Sequence, residues 1–176
     1  MKPQAPGAPD TDEGCEGCKA CRLTAGSDFL PGGTILRTSL WTVEHCIGPL
    51  GLGTLIVKPL RHVLHVADLT PDESAELGPL LRRTAALVTA VTRPEQVYVC
   101  LWSHADAVPG HLHFVVQPAL TADLERYGAH GPALQMAMFQ DGTVPDEASV
   151  AEVCDRMRAE PAVSGAWDGG GVERKG

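Results

Sequence analysis

The chain has 176 residues, of which 44% are hydrophobic and 20% are charged, a length and composition that suit one globular core. Its 14 Lys and Arg against 22 Asp and Glu give a formal net charge of −8, which argues against a duplex nucleic acid partner but not against a small anion held by backbone N–H groups. No apolar run approaches the roughly 18 residues that a membrane span needs, and the acidic, Pro-rich start lacks the apolar core of a secretory signal, so we expect a cytoplasmic protein with no membrane partner.

Both ends of the chain are predicted to be disordered. Residues 1–14 and 164–176 are rich in Pro, Gly and charged residues, so they cannot bury enough apolar surface to offset the entropy of ordering. Residues 15–163 are therefore predicted to form one domain, with a helical extension from about residue 120.

Five segments have the alternating or continuous apolar character of β-strands. They are Thr34–Thr38, Leu40–Cys46, Gly53–Lys58, Gln96–Trp102 and His111–Gln117. Helix signals lie between and after them. The capping box Thr70-Pro71-Asp72-Glu73 starts a long helix with a kink or break at Gly78-Pro79. A short helical turn is expected at Leu120–Tyr127, and a second helix from about Pro145. The sequence thus predicts an α+β domain with a five-stranded antiparallel sheet, one main intervening helix and C-terminal helices.

The cysteines and histidines are unevenly distributed. Three of the six Cys lie within seven residues, and three of the seven His lie within ten. In a chain without a signal peptide, such a Cys cluster indicates metal binding rather than a disulfide framework, which makes zinc a candidate. The residues concerned are Cys15, Cys18, Cys21, His62, His65, His104, His111 and His113.

The segment that carries His111 and His113 is the most informative for chemistry. The two-residue period of a strand puts both imidazoles on one face, where one can bind a metal while the other stays a base or nucleophile. Gln117 lies on the same face and could hydrogen-bond an oxyanion, and Gly110 permits a ligand to approach the backbone closely. An isolated His-x-His is also compatible with two solvent-facing side chains.

Four separated segments within about residues 18–118 form a recognisable set: Cys18–Gly26 (CKACRLTAG), Gly53–Val63 (GTLIVKPLRHV), Ala67–Glu73 (ADLTPDE) and His111–Pro118 (HLHFVVQP). Together and in this order, they resemble the histidine triad (HIT) superfamily. The resemblance implies an α+β fold with a five-stranded antiparallel sheet, usually as a homodimer. It also implies nucleotide binding, with hydrolysis or transfer of nucleotidyl groups through a covalent histidine intermediate.

Carried over residue by residue, the resemblance makes His111 the first triad residue and His113 the nucleophile, and Pro118 fixes this register. The third triad position, which in the family hydrogen-bonds the phosphate and assists the leaving group, is Val115. A carbonyl of an adjacent strand is expected to hold the second ring nitrogen of His113, and backbone N–H groups near Gly110 are expected to bind phosphate. Candidates to replace the missing third residue are Gln117, His104 and Ser103.

The resemblance also implies one structural zinc ion per chain, held by Cys18, Cys21, His62 and His111. Two thiolates and two imidazoles make a closed tetrahedral site. From the sequence, two alternatives stay open: Cys15 with Cys18 as the thiol pair, and His65 in place of His62.

Two functions follow as hypotheses. The first is a nucleotide hydrolase or nucleotidyl transferase that acts through His113. The second is a non-catalytic, zinc-stabilised nucleotide-binding module that has lost turnover with the third triad residue. The pair His111 and His113 favours the first, and Val115 favours the second. The base and the leaving group do not follow from the sequence.

Overall fold

The computed structural model describes residues 17–101, 103–104 and 110–161, so both predicted tails and Cys15 lie outside the described residues. Five antiparallel strands form one sheet in the order β1-β2-β3-β5-β4. They are β1 Thr34–Arg37, β2 Trp41–His45, β3 Leu55–Pro59, β4 Gln96–Leu101 and β5 Phe114–Ala119. The predicted α+β class and five-stranded antiparallel sheet are confirmed.

Five α-helices accompany the sheet, and none in the described ranges is long and apolar enough to cross a membrane. They are α1 Lys19–Ala25, α2 Pro71–Thr92, α3 Thr121–Tyr127, α4 Pro132–Asp141 and α5 Glu147–Ala159. The predicted capping box begins α2: the Glu73 N–H donates to the Thr70 hydroxyl, and the Thr70 N–H donates to the Glu73 carboxylate. The sequence analysis does not predict α1 or α4. Apolar side chains in α4 are both buried (Leu134) and exposed (Phe139), so they do not mark one face.

Of the kink or break predicted at Gly78-Pro79, the break does not occur, because α2 is one continuous helix through these residues. Pro79 removes the N–H that would bond to the carbonyl of Ala75. Both Ala75 and Pro79 are exposed, so water can reach that carbonyl, while Leu80 and Leu87 hold the helix on the core.

The two faces of the sheet are covered by different elements. Trp41, Val57 and Val116 point to the face that packs against α2 and α5 and forms the main core. The opposite face carries a smaller apolar cluster with Cys46, Leu50 and Val115, and α4 covers its far end beside Ala119. The candidate metal ligands and His113 lie on this second side of the sheet.

Strand β5 begins at Phe114 rather than at the predicted His111. The register pairs Val57 with Phe114, so Pro59 would face Leu112 next, and Pro59 has no N–H to continue the ladder. The chain instead crosses towards the segment after β3, where the Leu112 N–H donates to the Val63 carbonyl at 2.7 Å. Residues 111–113 therefore precede the strand and lie outside the sheet.

Candidate metal centre and active site

Three separate parts of the chain bring two thiols and two imidazoles together. Cys18 is the N-cap of α1, Cys21 lies in its first turn, His62 follows β3, and His111 precedes β5. Their ligand atoms all lie within 4.8 Å of one another. The Nδ1 atom of His111 is 3.6 Å from Cys18 Sγ and 3.5 Å from Cys21 Sγ, and Cys21 Sγ is 3.3 Å from His62 Nδ1. A tetrahedral zinc ion holds its sulfur and nitrogen ligands about 3.5 Å apart, so these residues fit one such ion.

His111 is oriented to use one particular nitrogen. Its Nε2–H donates to the Pro59 carbonyl at 3.1 Å, which leaves the Nδ1 lone pair facing the two thiols. Burial lowers the pKa of His111 to about 4, so the ring is neutral at physiological pH. A backbone partner of this kind fixes the tautomer of metal-binding imidazoles.

The two alternative ligands left open by the sequence are not equivalent in the structure. His65 is exposed and caps the short 3-10 turn Val66–Asp68, and it is not in the group formed by the described residues. Cys15 lies outside the described residues. In the described part of the chain, the ligand set that comes together contains Cys21 and His62.

His113 is half-buried next to this group. Its Nδ1–H donates to the backbone carbonyl of His111 at 2.8 Å, so in the neutral ring the lone pair is on Nε2. The expected partner was a carbonyl of an adjacent strand, and this detail is wrong. The last carbonyl of β3, that of Pro59, accepts from the His111 ring, and His113 bonds to a carbonyl of its own segment.

The sequence analysis missed a buried ion pair on this side of the sheet. Lys58 Nζ lies 2.6 Å from Glu44 Oε1, and the two side chains are 1% and 5% exposed. The pKa of Glu44 is raised above its usual value because the effect of burial is the largest. The charge and hydrogen bond of Lys58, and the charge of His113, oppose this effect. The two-residue period of a strand puts Thr42 and Glu44 on one face of β2. The register pairs Thr42 with Lys58, so Lys58 shares that face with Glu44, which the sequence alone does not show.

Gln117 has partners that differ from the expected oxyanion. Its amide donates to the Leu50 carbonyl at 3.0 Å and to Met138 Sδ at 3.2 Å, and its oxygen accepts from Gln135 at 2.8 Å. It is fully buried beneath α4, the helix that the sequence analysis does not predict. The structure therefore does not place the Gln117 amide with His113.

The other predicted substrate-binding residues flank residues 105–109, which lie outside the described residues. The Ser103 hydroxyl is buried and has no hydrogen-bond partner within the described ranges, His104 is exposed, and Gly110 is half-buried. Their contacts with a substrate stay a prediction. At the third triad position, Val115 is 2% exposed and packs in the apolar cluster with Cys46 and Leu50.

His45 is the buried last residue of β2, and its ring bonds to the loop between β2 and β3. Its Nδ1–H donates to the Cys46 carbonyl at 2.7 Å, and its Nε2 accepts the Gly53 N–H at 2.9 Å. This pattern requires the neutral ring, and burial lowers the pKa of His45. The imidazole fastens the two ends of the loop to each other.

We therefore expect acid to weaken the fold through His45. A lowered folded-state pKa makes this contribution complete above the unfolded value of about 6.5 and reduces it as the pH falls below that value, by about 1.4 kcal/mol per unit of pKa difference. The unfolding free energy can be measured by denaturant titration between pH 7.5 and 5.0 at saturating zinc. Over this range, we expect His45→Gln to lose less unfolding free energy than the wild-type protein. If the unfolding free energies of the variant and the wild-type protein fell equally with pH, the role given to His45 would be contradicted.

Comparisons with known proteins agree on the fold. No family model and no curated protein matches the sequence. A Zn-bound histidine triad family protein from Mycobacterium smegmatis superposes with a TM-score of 0.60 at 18% identity, covering 84% of this chain and 93% of that one. A Hit-like protein involved in cell-cycle regulation from Bartonella henselae gives 0.60 at 15% identity, over 78% and 91% of the two chains.

A third structure extends this agreement. A hypothetical histidine triad nucleotide-binding protein from Sulfolobus tokodaii gives a TM-score of 0.56 at 14% identity and covers 82% of this chain and 97% of that one. The chain therefore has the α+β fold of histidine triad proteins, with a group of two Cys and two His beside a half-buried histidine.

Proposed function

We propose that this protein is a nucleotide-binding hydrolase or nucleotidyl transferase in which His113 is the nucleophile. The observation that carries the proposal is the hydrogen bond from His113 Nδ1–H to the His111 carbonyl, because it leaves the Nε2 lone pair free to attack. Nε2 forms a bond to the α-phosphorus of a nucleotide while the bond to the leaving group breaks. Water then attacks the nucleotidyl-histidine, and the Nε2–P bond breaks to free the histidine.

We also propose that Cys18, Cys21, His62 and His111 hold one structural zinc ion per chain. The sulfur–nitrogen distances support this, and so does the printed description of the Mycobacterium smegmatis protein as Zn-bound. When bound, zinc would cross-link α1 to the segment after β3 and the segment before β5. Four protein ligands leave no open position, so its role would be structural. Thiolate ligands also suit a reducing compartment such as the cytoplasm.

The partner proposed is a nucleotide or nucleotide-like small molecule, with the protein acting as a homodimer. The Sulfolobus tokodaii structure is described as nucleotide-binding, which supports the first part. For the second part, β4 is an edge of the sheet and exposes Val99 and Leu101. Edge strands with apolar side chains are suited to pairing with another chain.

A non-catalytic, zinc-stabilised nucleotide-binding module is the second candidate. The observation in its favour is Val115, which is buried among apolar residues and can neither hydrogen-bond a phosphate nor donate a proton to a leaving group. Such a module would bind nucleotide without forming a covalent bond.

Trapping of the covalent intermediate separates the two candidates. The protein is mixed with α-phosphorus-labelled dinucleoside polyphosphates, nucleoside phosphoramidates and sugar nucleotides, and is quenched with alkaline denaturant because acid hydrolyses the N–P bond. We expect label on His113, located by peptide mass spectrometry, with at least one substrate class. Binding of nucleotide without any labelling would support the non-catalytic module, and the absence of both would contradict the two candidates together.

A further inference from the structure

We propose that Lys58, held by Glu44, is a positioning residue for the metal centre: it fixes α1, and with it the two thiols, in place before zinc binds. This inference rests on the proposed zinc site but not on the proposed catalysis. It concerns two residues that are neither predicted ligands nor predicted catalytic groups.

The contacts of Lys58 join the sheet to α1. From the fully buried side chain, Nζ donates to the backbone carbonyl of Ala20 at 2.9 Å and to Glu44 Oε1 at 2.6 Å. Ala20 lies between Cys18 and Cys21 in the sequence, so this carbonyl belongs to the turn of helix that carries both thiols. The ammonium group of Lys58 is thus hydrogen-bonded to the backbone of the helical turn that carries the two thiols.

Helix α1 needs such a contact because it is weak by itself. It has seven residues, and its N-cap Cys18 forms no side-chain capping hydrogen bond. Isolated helices of this length are not stable in water, because nucleation fixes several residues for few hydrogen bonds. A tertiary contact must therefore hold the thiols at the distance at which one ion can bind both.

The same stretch of β3 also orients the imidazole half of the centre. The carbonyl of Pro59, the residue after Lys58, accepts the Nε2–H of His111. His62 follows three residues later and is itself a predicted ligand. Thus the backbone of this stretch orients an imidazole, and the side chain of Lys58 positions the helix that bears the thiols.

Burying an ion pair in a protein core costs desolvation free energy, because both charges lose their hydration. Here the pair is also imperfect: Glu44 Oε2 is buried and has no hydrogen-bond partner among the residues that the structure describes. Well-packed apolar residues would serve stability as well. A positioning role explains why a cation that can reach the Ala20 carbonyl stands at this point of β3.

The test compares zinc affinity in two matched variants. Lys58→Met removes the ammonium group and keeps an unbranched side chain, and Lys19→Met makes the same change at an exposed position of α1. Competition with a chromophoric zinc chelator should show affinity about 10–100-fold weaker in Lys58→Met, the range for residues that orient metal ligands, and unchanged in Lys19→Met. Hydrogen exchange of the zinc-free protein should be faster in α1 of Lys58→Met only.

A double variant keeps the proposal testable if Lys58→Met folds poorly. Glu44→Gln with Lys58→Met removes both charges, so no unpaired charge is left buried, but the bond to the Ala20 carbonyl is still lost. We expect the same weakening of zinc affinity. Unchanged affinity in the folded double variant would overturn the positioning role. A wild-type protein that binds no zinc would instead remove the zinc proposal on which the role rests.

Discussion

Replacement of His113 with Ala is expected to abolish nucleotide turnover, lowering it by roughly 10³-fold or more, because the variant has no nucleophile to form the covalent intermediate. The imidazole is half-buried and is oriented by the His111 carbonyl, and Ala supplies no nitrogen at that position. Steady-state hydrolysis of the substrate found by trapping measures the effect. The label on the protein should disappear in parallel.

The matched control for this variant is His130→Ala, the same change at an exposed position between α3 and α4. Turnover should be unchanged in His130→Ala, and zinc content should be unchanged in both variants, because neither residue belongs to the group of four ligands. Full activity in His113→Ala would remove the nucleophile assignment. Loss of zinc from it would show that the variant had disturbed the metal centre instead.

Replacement of Cys21 with Ser is expected to release zinc and to lower the stability of the fold. Cys21 Sγ lies 3.3 Å from the His62 nitrogen and 3.5 Å from the His111 nitrogen, so its loss breaks the centre on two sides. Structural zinc contributes about 10–16 kcal/mol where it drives folding alone. This domain has its own apolar core, so we expect a smaller fall of roughly 3 kcal/mol or more, or about 10 °C in Tm.

Elemental analysis and thermal unfolding check this expectation. Protein purified without added metal should carry about one zinc per chain, and Cys21→Ser should carry none. Cys100→Ser, at a half-buried thiol outside the group, should keep its zinc. A normally folded wild-type chain without zinc would contradict the assignment. Zinc retained by Cys21→Ser but lost from Cys15→Ser would move the thiol pair to Cys15 and Cys18.

Local patterns explain which parts of the fold could be predicted. The capping box at Thr70 and the Asp146 start of α5 are signals within a few residues, and both occur as expected. The alternation of residues 114–117 across the two faces of the sheet also holds, with Val116 in the main core and Val115 opposite. The four proposed ligands were named from a family resemblance, and the structure brings those four together.

The parts that could not be predicted depend on contacts between distant residues. The start of β5 is set by Pro59, about fifty residues earlier, because a missing N–H in one strand ends the pairing of another. The burial of Gln117 depends on α4, which has no clear apolar face. Likewise, nothing near Lys58 or Glu44 in the sequence indicates that each is the other's partner.

The side chain and the backbone carbonyl of His111 serve two different sites, which matters for redesign of the protein. Its ring faces the two thiols, while its backbone carbonyl accepts a hydrogen bond from the Nδ1–H of His113. A substitution here would remove a metal ligand and also the ring's hydrogen bond to the Pro59 carbonyl, which holds in place the segment whose backbone carbonyl orients His113. A redesign that aims to change zinc affinity while preserving the reactive geometry should therefore act on the thiol side, where α1 is a separate element.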